Sequence, residues 1–355
     1  MILPASAPES IAHCVATTRA GGIFGLPTET VYGLGADADN DAAVAKIFVA
    51  KGRPADHPLI VHVSSQDGGM SGVAHYAEHV PPFAQQLMSA FWPGPLTLIL
   101  PRRAGVGAAS AGGQNSIGLR CPAHPAAQAV LRALRDTSDG RAPVWGIAAP
   151  SANRFGRVSP TTAAHVVSEL GDDLPILDGG PCDLGIESTI IDCTRGAPVL
   201  LRPGTISRLQ VEQACGRPLL SKEELDAQEL RGLEAPRASG TLESHYAPSA
   251  RVRLMDAKAL QTAIDLLGGV MYPAGSNTKP SIAIYARSAL NKVPLAISLR
   301  RMPDDAGATA HQLFSVLRAM DDTGVKLIWV ETPPDVLEWE GVRDRLQRAS
   351  ASAPS

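Results

Sequence analysis

At 355 residues, 45% of them hydrophobic and 19% charged, the chain exceeds the usual single-domain size and carries enough apolar side chain for a sizeable core. A formal net charge of -3 excludes a globally basic nucleic-acid coat but leaves room for a local basic patch. No apolar run approaches the roughly 20 residues of a membrane-spanning helix, and the opening MILPASAPESIAH has no positive n-region before an apolar stretch; no membrane association or secretory signal is read, and a cytoplasmic protein is expected.

Strand-like and helix-like segments alternate from about residue 10 to 215, which predicts an α/β layer structure. A short apolar strand over Gly22 to Leu26 leads into a proline, the polar turn Thr28-Glu29-Thr30, an aromatic and two closely spaced glycines. A helix follows, with Asn40 or Asp41 as N-cap and Ala43, Val44, Ile47 and Phe48 at helical spacing, ending at Lys51-Gly52-Arg53-Pro54. Lys51 and Arg53 are thus expected on display at a helix C-terminus, where cations suit the dipole whether or not they bind anything. Further strands are read at Leu59-Val63, Leu96-Leu100, Ser116-Arg120, Val144-Ala149, Ile176-Asp178, Thr189-Asp192 and Val199-Arg202. Helices are read around Phe83-Phe91, Pro125-Leu134 and Thr161-Leu170.

Residues 1–215 are therefore one domain, and 216–248, charged and punctuated by Pro218, Pro236 and Gly240, read as a linker with one short helix. From 249 to 355 a second series alternates: RVRLM, a helix over Ala257-Leu267, GVMYP, SIAIYA, a helix over Ala306-Met320, VKLIWVE and a helix to Arg348. That pattern predicts a smaller Rossmann-like, doubly wound domain with a disordered SASAPS tail.

Several familiar motifs are weak here. Gly33-Leu34-Gly35-Ala36-Asp37-Ala38 matches G-x-G-x-x-G/A, yet a polar turn separates the strand from the glycines, contrary to a dinucleotide fold. His75-Tyr76-Ala77-Glu78-His79 fits an inverted zinc-peptidase pattern, but Pro81 and Pro82 oppose a continuing helix, so a solvated loop is expected. His57 and His62 lie across Pro58 and share no helical face for a metal. The five cysteines, Cys14, Cys121, Cys182, Cys193 and Cys215, lack CxxC spacing and are odd in number, as expected of reduced thiols. More telling are Lys51, Arg53, Arg120 and Arg202 at element ends, together with Ser151, Asn153 and Ser159 in APSANRFGRVSP. Arginine forks, hydroxyls and the free N-H groups of a helix start near Pro160 would suit a phosphate or carboxylate.

The ordered series PTETVYGLG, KGRP, PLIVHV, FWPGPLTLIL, APSANRFG, ESTIID, LRPG and HYAP resembles the YrdC-type threonylcarbamoyl-AMP synthase family in its long, two-domain form, densely over roughly residues 10 to 250. The resemblance implies a YrdC-like, mixed, twisted N-terminal sheet with an open concave face. It implies an L-threonine site lined by Thr30, His62, Arg120, Ala149 and Ser188, and ATP contacts from Arg53, His57, Ser116, Ser151, Asn153, Ser159, Arg202, His245 and Tyr246. Lys51 and Arg53 are the expected catalytic cations, with Mg2+ accompanying ATP; position 57 is His where the family more often has Asn. The implied reaction joins L-threonine, bicarbonate and ATP into threonylcarbamoyl-AMP and pyrophosphate, for a downstream tRNA threonylcarbamoyl transferase and with a possible transient tRNA contact. The stretch with His245 and Tyr246 would be a lid over ATP. Two rivals stand beside it: a noncatalytic double-stranded RNA-binding module using Lys51, Arg53 and Arg120, and another carbamoyl-adenylate enzyme of the hydrogenase-maturation kind, whose additional modules are not found in the sequence.

Overall fold

The computed structural model describes residues 1–221, 224, 236–240, 245–268, 281–294 and 297–351. The strand expected at 269–273, and the remaining parts of the 216–248 stretch and of the tail, lie outside the described residues. Two compact units emerge: Met1–Phe155 with Ser159–Thr241, and Gly156–Val158 with Leu242–Ser355.

The first unit carries strands β1 (Ile2–Pro4), β2 (Phe24–Leu26), β3 (Gly33–Asp37), β4 (Ile60–Val63), β5 (Leu96–Pro101), β6 (Ser116–Arg120), β7 (Gly146–Ala148), β8 (Ile176–Asp178), β9 (Thr189–Asp192) and β10 (Val199–Arg202). Among the described residues they form a ten-stranded sheet in the order β1-β8-β2-β3-β7-β4-β6-β5-β9-β10. It is mixed, as expected: β4 lies parallel to β6 and β5 parallel to β9, while β5 and β6, and β4 and β7, run antiparallel. The helices are α1 (Pro8–Arg19), α2 (Asp41–Lys51), α3 (Met70–Tyr76), α4 (Pro82–Phe91), α5 (Pro125–Arg135), α6 (Ala163–Leu170) and α7 (Arg208–Cys215).

Alternation decides what each strand buries. In β4 to β6, Val61, Val63, Leu96, Leu98, Leu100, Ile117 and Leu119 pack into the main apolar core with Val44, Ile47 and Phe48 of α2 and Leu87 of α4. Successive side chains of a strand point to opposite faces, so Ile60, His62, Thr97, Ile99, Gly118 and Arg120 share the other face. There Ile60 and Ile99 join Ile190 in a small cluster of their own. A third cluster, built by Phe24, Leu26, Ile147 and Leu177 with Ala127, Val130 and Leu131 of α5, takes the far end of the sheet.

Several elements escaped the pattern reading. β3 occupies the two glycines of the G-x-G match, which therefore lie within a strand rather than a phosphate turn. A Cβ on Gly35 would meet Ile147 at 2.9 Å and one on Gly33 would meet Ala149 at 3.0 Å, so close strand packing accounts for both. The helix α1, whose buried face carries Ser10 and Thr18 beside Cys14, was missed, as were β1, α3 and α7. His75 lies in α3, not in a solvated loop; its Nε2 is 2.8 Å from Asp39 Oδ2 and its ring stacks on Trp145.

The second unit contains β11 (Arg251–Met255), β12 (Ile282–Ala286), β13 (Ser298–Arg301) and β14 (Leu327–Glu331), with helices α8 (Ala257–Gly268), α9 (Ala306–Asp321) and α10 (Glu340–Ser350). The strands form a wholly parallel sheet among the described residues, in the order β11-β14-β12-β13. Its middle is apolar, as parallel strands covered by helices require. β13, SLRR, was not anticipated because only Leu299 is apolar.

Candidate active site

The polar row on the second face of the first sheet is the starting point. His62 of β4, Arg120 of β6 and Thr97 of β5 are register partners in turn, so their side chains stand side by side on one face. All are buried. A charged fork inside a sheet is costly unless its donors are satisfied. Arg120 satisfies them locally: Nη2 pairs with Glu29 Oε1 at 2.6 Å, Nη1 donates to Thr30 Oγ1 at 2.8 Å and Nε to the Gly94 carbonyl at 3.2 Å. Burial alone would push the Glu29 carboxyl up, but the charge and hydrogen bond of Arg120 outweigh it and hold Glu29 below the usual value of 4.5. His62 is pushed down from 6.5 to about 3, first by burial and then by the Arg120 charge, so it is neutral; its Nδ1 has no hydrogen-bond partner among the described residues.

One strand over, Ser188 stands just before β9. Thr97 Oγ1 is 2.8 Å from Ser188 Oγ, and Arg202 of β10 donates through Nε and Nη2 to the Ser188 carbonyl at 3.1 and 3.0 Å and through Nη2 to its hydroxyl at 3.1 Å. Arg202 Nη1 also reaches the Ser239 carbonyl at 2.9 Å, while Arg53 Nη2 donates to Ser239 Oγ at 3.4 Å and to the Pro58 carbonyl at 3.0 Å. Thus Thr30, His62 and Arg120 come together, and Ser188, Arg202, Ser239 and Arg53 extend the network from them.

α2 positions the next group. Asn40 is its N-cap, its side chain accepting from the Ala43 N-H, and Gly52 ends it in the left-handed conformation at φ 62°. The expectation that Lys51 and Arg53 would be displayed does not hold, because the chain folds back over them and both are buried. Lys51 Nζ donates to the Ser151 and Asn153 carbonyls, fixing the loop after β7. Burial, then the neighbouring Arg53 charge, lowers the Lys51 pKa well below its usual value despite the opposing Glu169. The Arg53 guanidinium and the His57 ring both lie against Phe155, the first 5.9 Å from its centroid and the second edge-on at 5.4 Å. His57 is pushed below its usual value, chiefly by burial and then by Arg53.

Ala149 is buried, its N-H bonded to the Ile60 carbonyl and its Cβ close to Gly33. Ser159 Oγ lies 2.5 Å from Glu187 Oε1. Ser116 opens β6 on the same face as Arg120, about 13 Å along the strand. His245 and Tyr246 belong to the second unit. There Tyr246 adopts a left-handed backbone at φ 62°, its ring stacks on Phe314, and Arg345 sits 5.3 Å from its centroid.

Sequence reading missed three residues of this network. Glu29 lay inside the quoted PTETVYG and was passed over as part of a polar turn. Thr97 carried a signal, being the one polar residue in the LTLIL run, but only the pairing of β5 with β6 sets it beside Arg120. Ser239 gave none. The rival reading of Lys51, Arg53 and Arg120 as a duplex-RNA surface fails on burial, for side chains exposed by 3%, 8% and 4% cannot meet a phosphate backbone.

Residues 16–204 match the family model described as telomere recombination, and residues 206–351 match that of the threonylcarbamoyl-AMP synthase C-terminal domain. The chain belongs to the threonylcarbamoyl-AMP synthase family. Threonylcarbamoyl-AMP synthase of Pyrococcus abyssi is 35% identical over 335 residues, covering 94% of this chain and 91% of that protein. Its counterpart in Bacillus subtilis is 36% identical over 347 residues, covering 96% and 92%. The crystal structure of P. abyssi Sua5 complexed with L-threonine matches with a TM-score of 0.81 and 33% identity over 99% of this chain and 97% of that one. A variant of the same P. abyssi protein with consecutive His and Tyr replaced by Ala matches with the same TM-score at 32% identity, over 99% and 96%. In this synthase-family chain no described helix is long and apolar enough to cross a membrane.

Proposed function

We propose that this chain makes threonylcarbamoyl-AMP and pyrophosphate from L-threonine, bicarbonate and ATP, with threonine held by Thr30, His62, Arg120, Ala149 and Ser188. The observation that carries the reading is the network itself: Arg202 grips Ser188 and, through Ser239, meets Arg53, so an amino-acid subsite and an anion subsite adjoin. Arg120, pinned from two sides by Glu29 and Thr30, presents a fixed guanidinium suited to a carboxylate. Neutral His62, with its open Nδ1, offers an acceptor or donor to the amine or hydroxyl without adding charge.

In the reaction, bicarbonate loses hydroxide to give carbon dioxide, the amine of threonine adds to its carbon, and the amine proton leaves with the hydroxide as water, giving a carbamate. A carbamate oxygen attacks the α-phosphorus of ATP, and the bond from that phosphorus to the bridging oxygen breaks to release pyrophosphate. N-carboxythreonine is short-lived in water, so holding it beside ATP in a dry site supplies much of the rate; effective molarities reach about 10⁵ M or more for well-oriented groups. Arg53 and Arg202 stabilise charge on the phosphates, with Ser116, Ser151, Asn153, Ser159 and His57 around the nucleotide. Lys51 acts by holding the Ser151–Asn153 segment in place through its Nζ.

Mg2+ enters with ATP as part of the substrate. Among the described residues no group of three or more His, Cys, Asp or Glu could hold a metal, and Glu29 and Glu187 are engaged with Arg120 and Ser159; this donor set fits a cation carried by the phosphates. The product then serves a separate transferase acting on tRNA, in the cytoplasm. The test is pyrophosphate release by the pure protein with ATP, bicarbonate and each of several amino acids in turn. Release that is independent of threonine overturns the proposal.

A further inference from the structure

Ser188 has one hydroxyl proton and two acceptor positions. Arg202 Nη2, which can only donate, fills one of them at 3.1 Å. Thr97 Oγ1 lies 2.8 Å away, and either hydroxyl could supply the proton between them. Thr97 is completely buried, and Ser188 is its side chain's partner; no other acceptor for its proton occurs among the described residues. A buried donor without an acceptor is strongly disfavoured, so Thr97 donates to Ser188. Both acceptor positions of Ser188 are then occupied, and its own proton is the part left for the site.

We propose that Thr97 is a positioning residue that presets Ser188 as a hydrogen-bond donor toward an oxygen of the bound amino acid, its carboxylate or hydroxyl, and bars Ser188 from accepting from the ammonium. This deepens the threonine reading of the site and rests on it.

The test is Thr97→Val, which keeps shape and burial but removes the proton. With the full chain, ATP and bicarbonate, the KM for threonine rises about tenfold, the loss of one oriented hydrogen bond, while kcat and the KM for ATP stay within about twofold. Thr97→Ser restores the threonine KM. In a Ser188→Ala background, Thr97→Val adds no further loss of threonine affinity by calorimetry. An unchanged threonine KM in Thr97→Val, a Thr97→Ser variant as poor as Thr97→Val, or an equal added loss without Ser188 overturns the assignment. Should Thr97→Val not fold, Thr97→Cys, whose S-H is a weak donor, takes its place with the same direction expected. A wild-type chain that neither binds threonine nor releases pyrophosphate with it sinks the threonine reading itself, whereas an active wild type with a silent Thr97→Val sinks only the positioning role.

Discussion

The sheet of the first unit and that of the second bury polar groups in different ways. At the end of β14, Glu331 is buried, and its carboxylate accepts from the Arg287 and Ser288 N-H groups at 2.8 and 2.7 Å, from Ser288 Oγ at 2.9 Å and from Arg287 Nη2 at 3.0 Å. Every one of those donors lies within two residues of chain following β12, so the carboxylate is a clasp between two strands. The row on the first sheet is built from distant segments and stays open. His62 Nδ1 has no hydrogen-bond partner among the described residues, and Arg120 and Ser188 are oriented by neighbours without being used up. Arg287 Nε and Trp329 Nε1 of the second unit also lack a hydrogen-bond partner among the described residues, so what marks the first sheet's row is several aimed polar groups gathered in one place rather than any single unfinished one.

The largest effect that would break this contrast is at Arg120. Arg120→Ala lowers threonine-dependent pyrophosphate release at least about 100-fold and destabilises the chain by about 3–5 kcal/mol, because Glu29 is left as a buried, unpaired carboxylate. Arg120→Lys returns part of the stability and little of the rate, since the ammonium restores charge but not the fork. Retained activity in either variant refutes the row as a binding site.

Glu331→Gln comes next. It costs about 1–3 kcal/mol in urea unfolding of the second unit, through acceptors lost to the Arg287 and Ser288 donors, and leaves the pyrophosphate rate at wild-type level. A lost rate would mean that the clasp is part of the chemistry.

The two titrating members of the row separate by pH. Both folded-state values are depressed, so in each case the unfolded chain binds the proton first and stability falls as pH falls. For His62 the loss runs from its usual 6.5 down to about 3, and for Glu29 it begins only below its usual 4.5. Between pH 6.5 and 4.5 Glu29 adds nothing to the decline, which His62 shares with the likewise depressed His57, so His62→Gln makes it shallower there and leaves the Glu29 loss below 4.5 in place. Denaturant midpoints measured across that range check this, and a His62→Gln curve parallel to wild type contradicts it. The smallest effect is at the surface pair Arg237–Asp56, 2.6 Å long but more than half exposed on both sides; Arg237→Ala leaves the thermal midpoint unmoved, solvent and salt already screening the charges.

How much of this was readable follows the range of the forces involved. The strand-like segments read at β6, β8, β9 and β10 match to the residue, and the Asn40 cap and Gly52 stop located α2, because backbone geometry and nearest neighbours decide those features. β3 was hidden because its glycines answer to Ile147 and Ala149, more than a hundred residues away, and α1 because half of its face is polar. The motif order named the family and selected Thr30, His62, Arg120, Ser188, Arg53 and Arg202 as candidates. What only the tertiary structure decided is which of these touch, that Lys51 and Arg53 are buried rather than displayed, and that Glu29, Thr97 and Ser239 orient the others. The orientation of a hydroxyl or a guanidinium depends on partners brought within about 3 Å by strand pairing, and a linear sequence carries no record of that distance until the sheet closes.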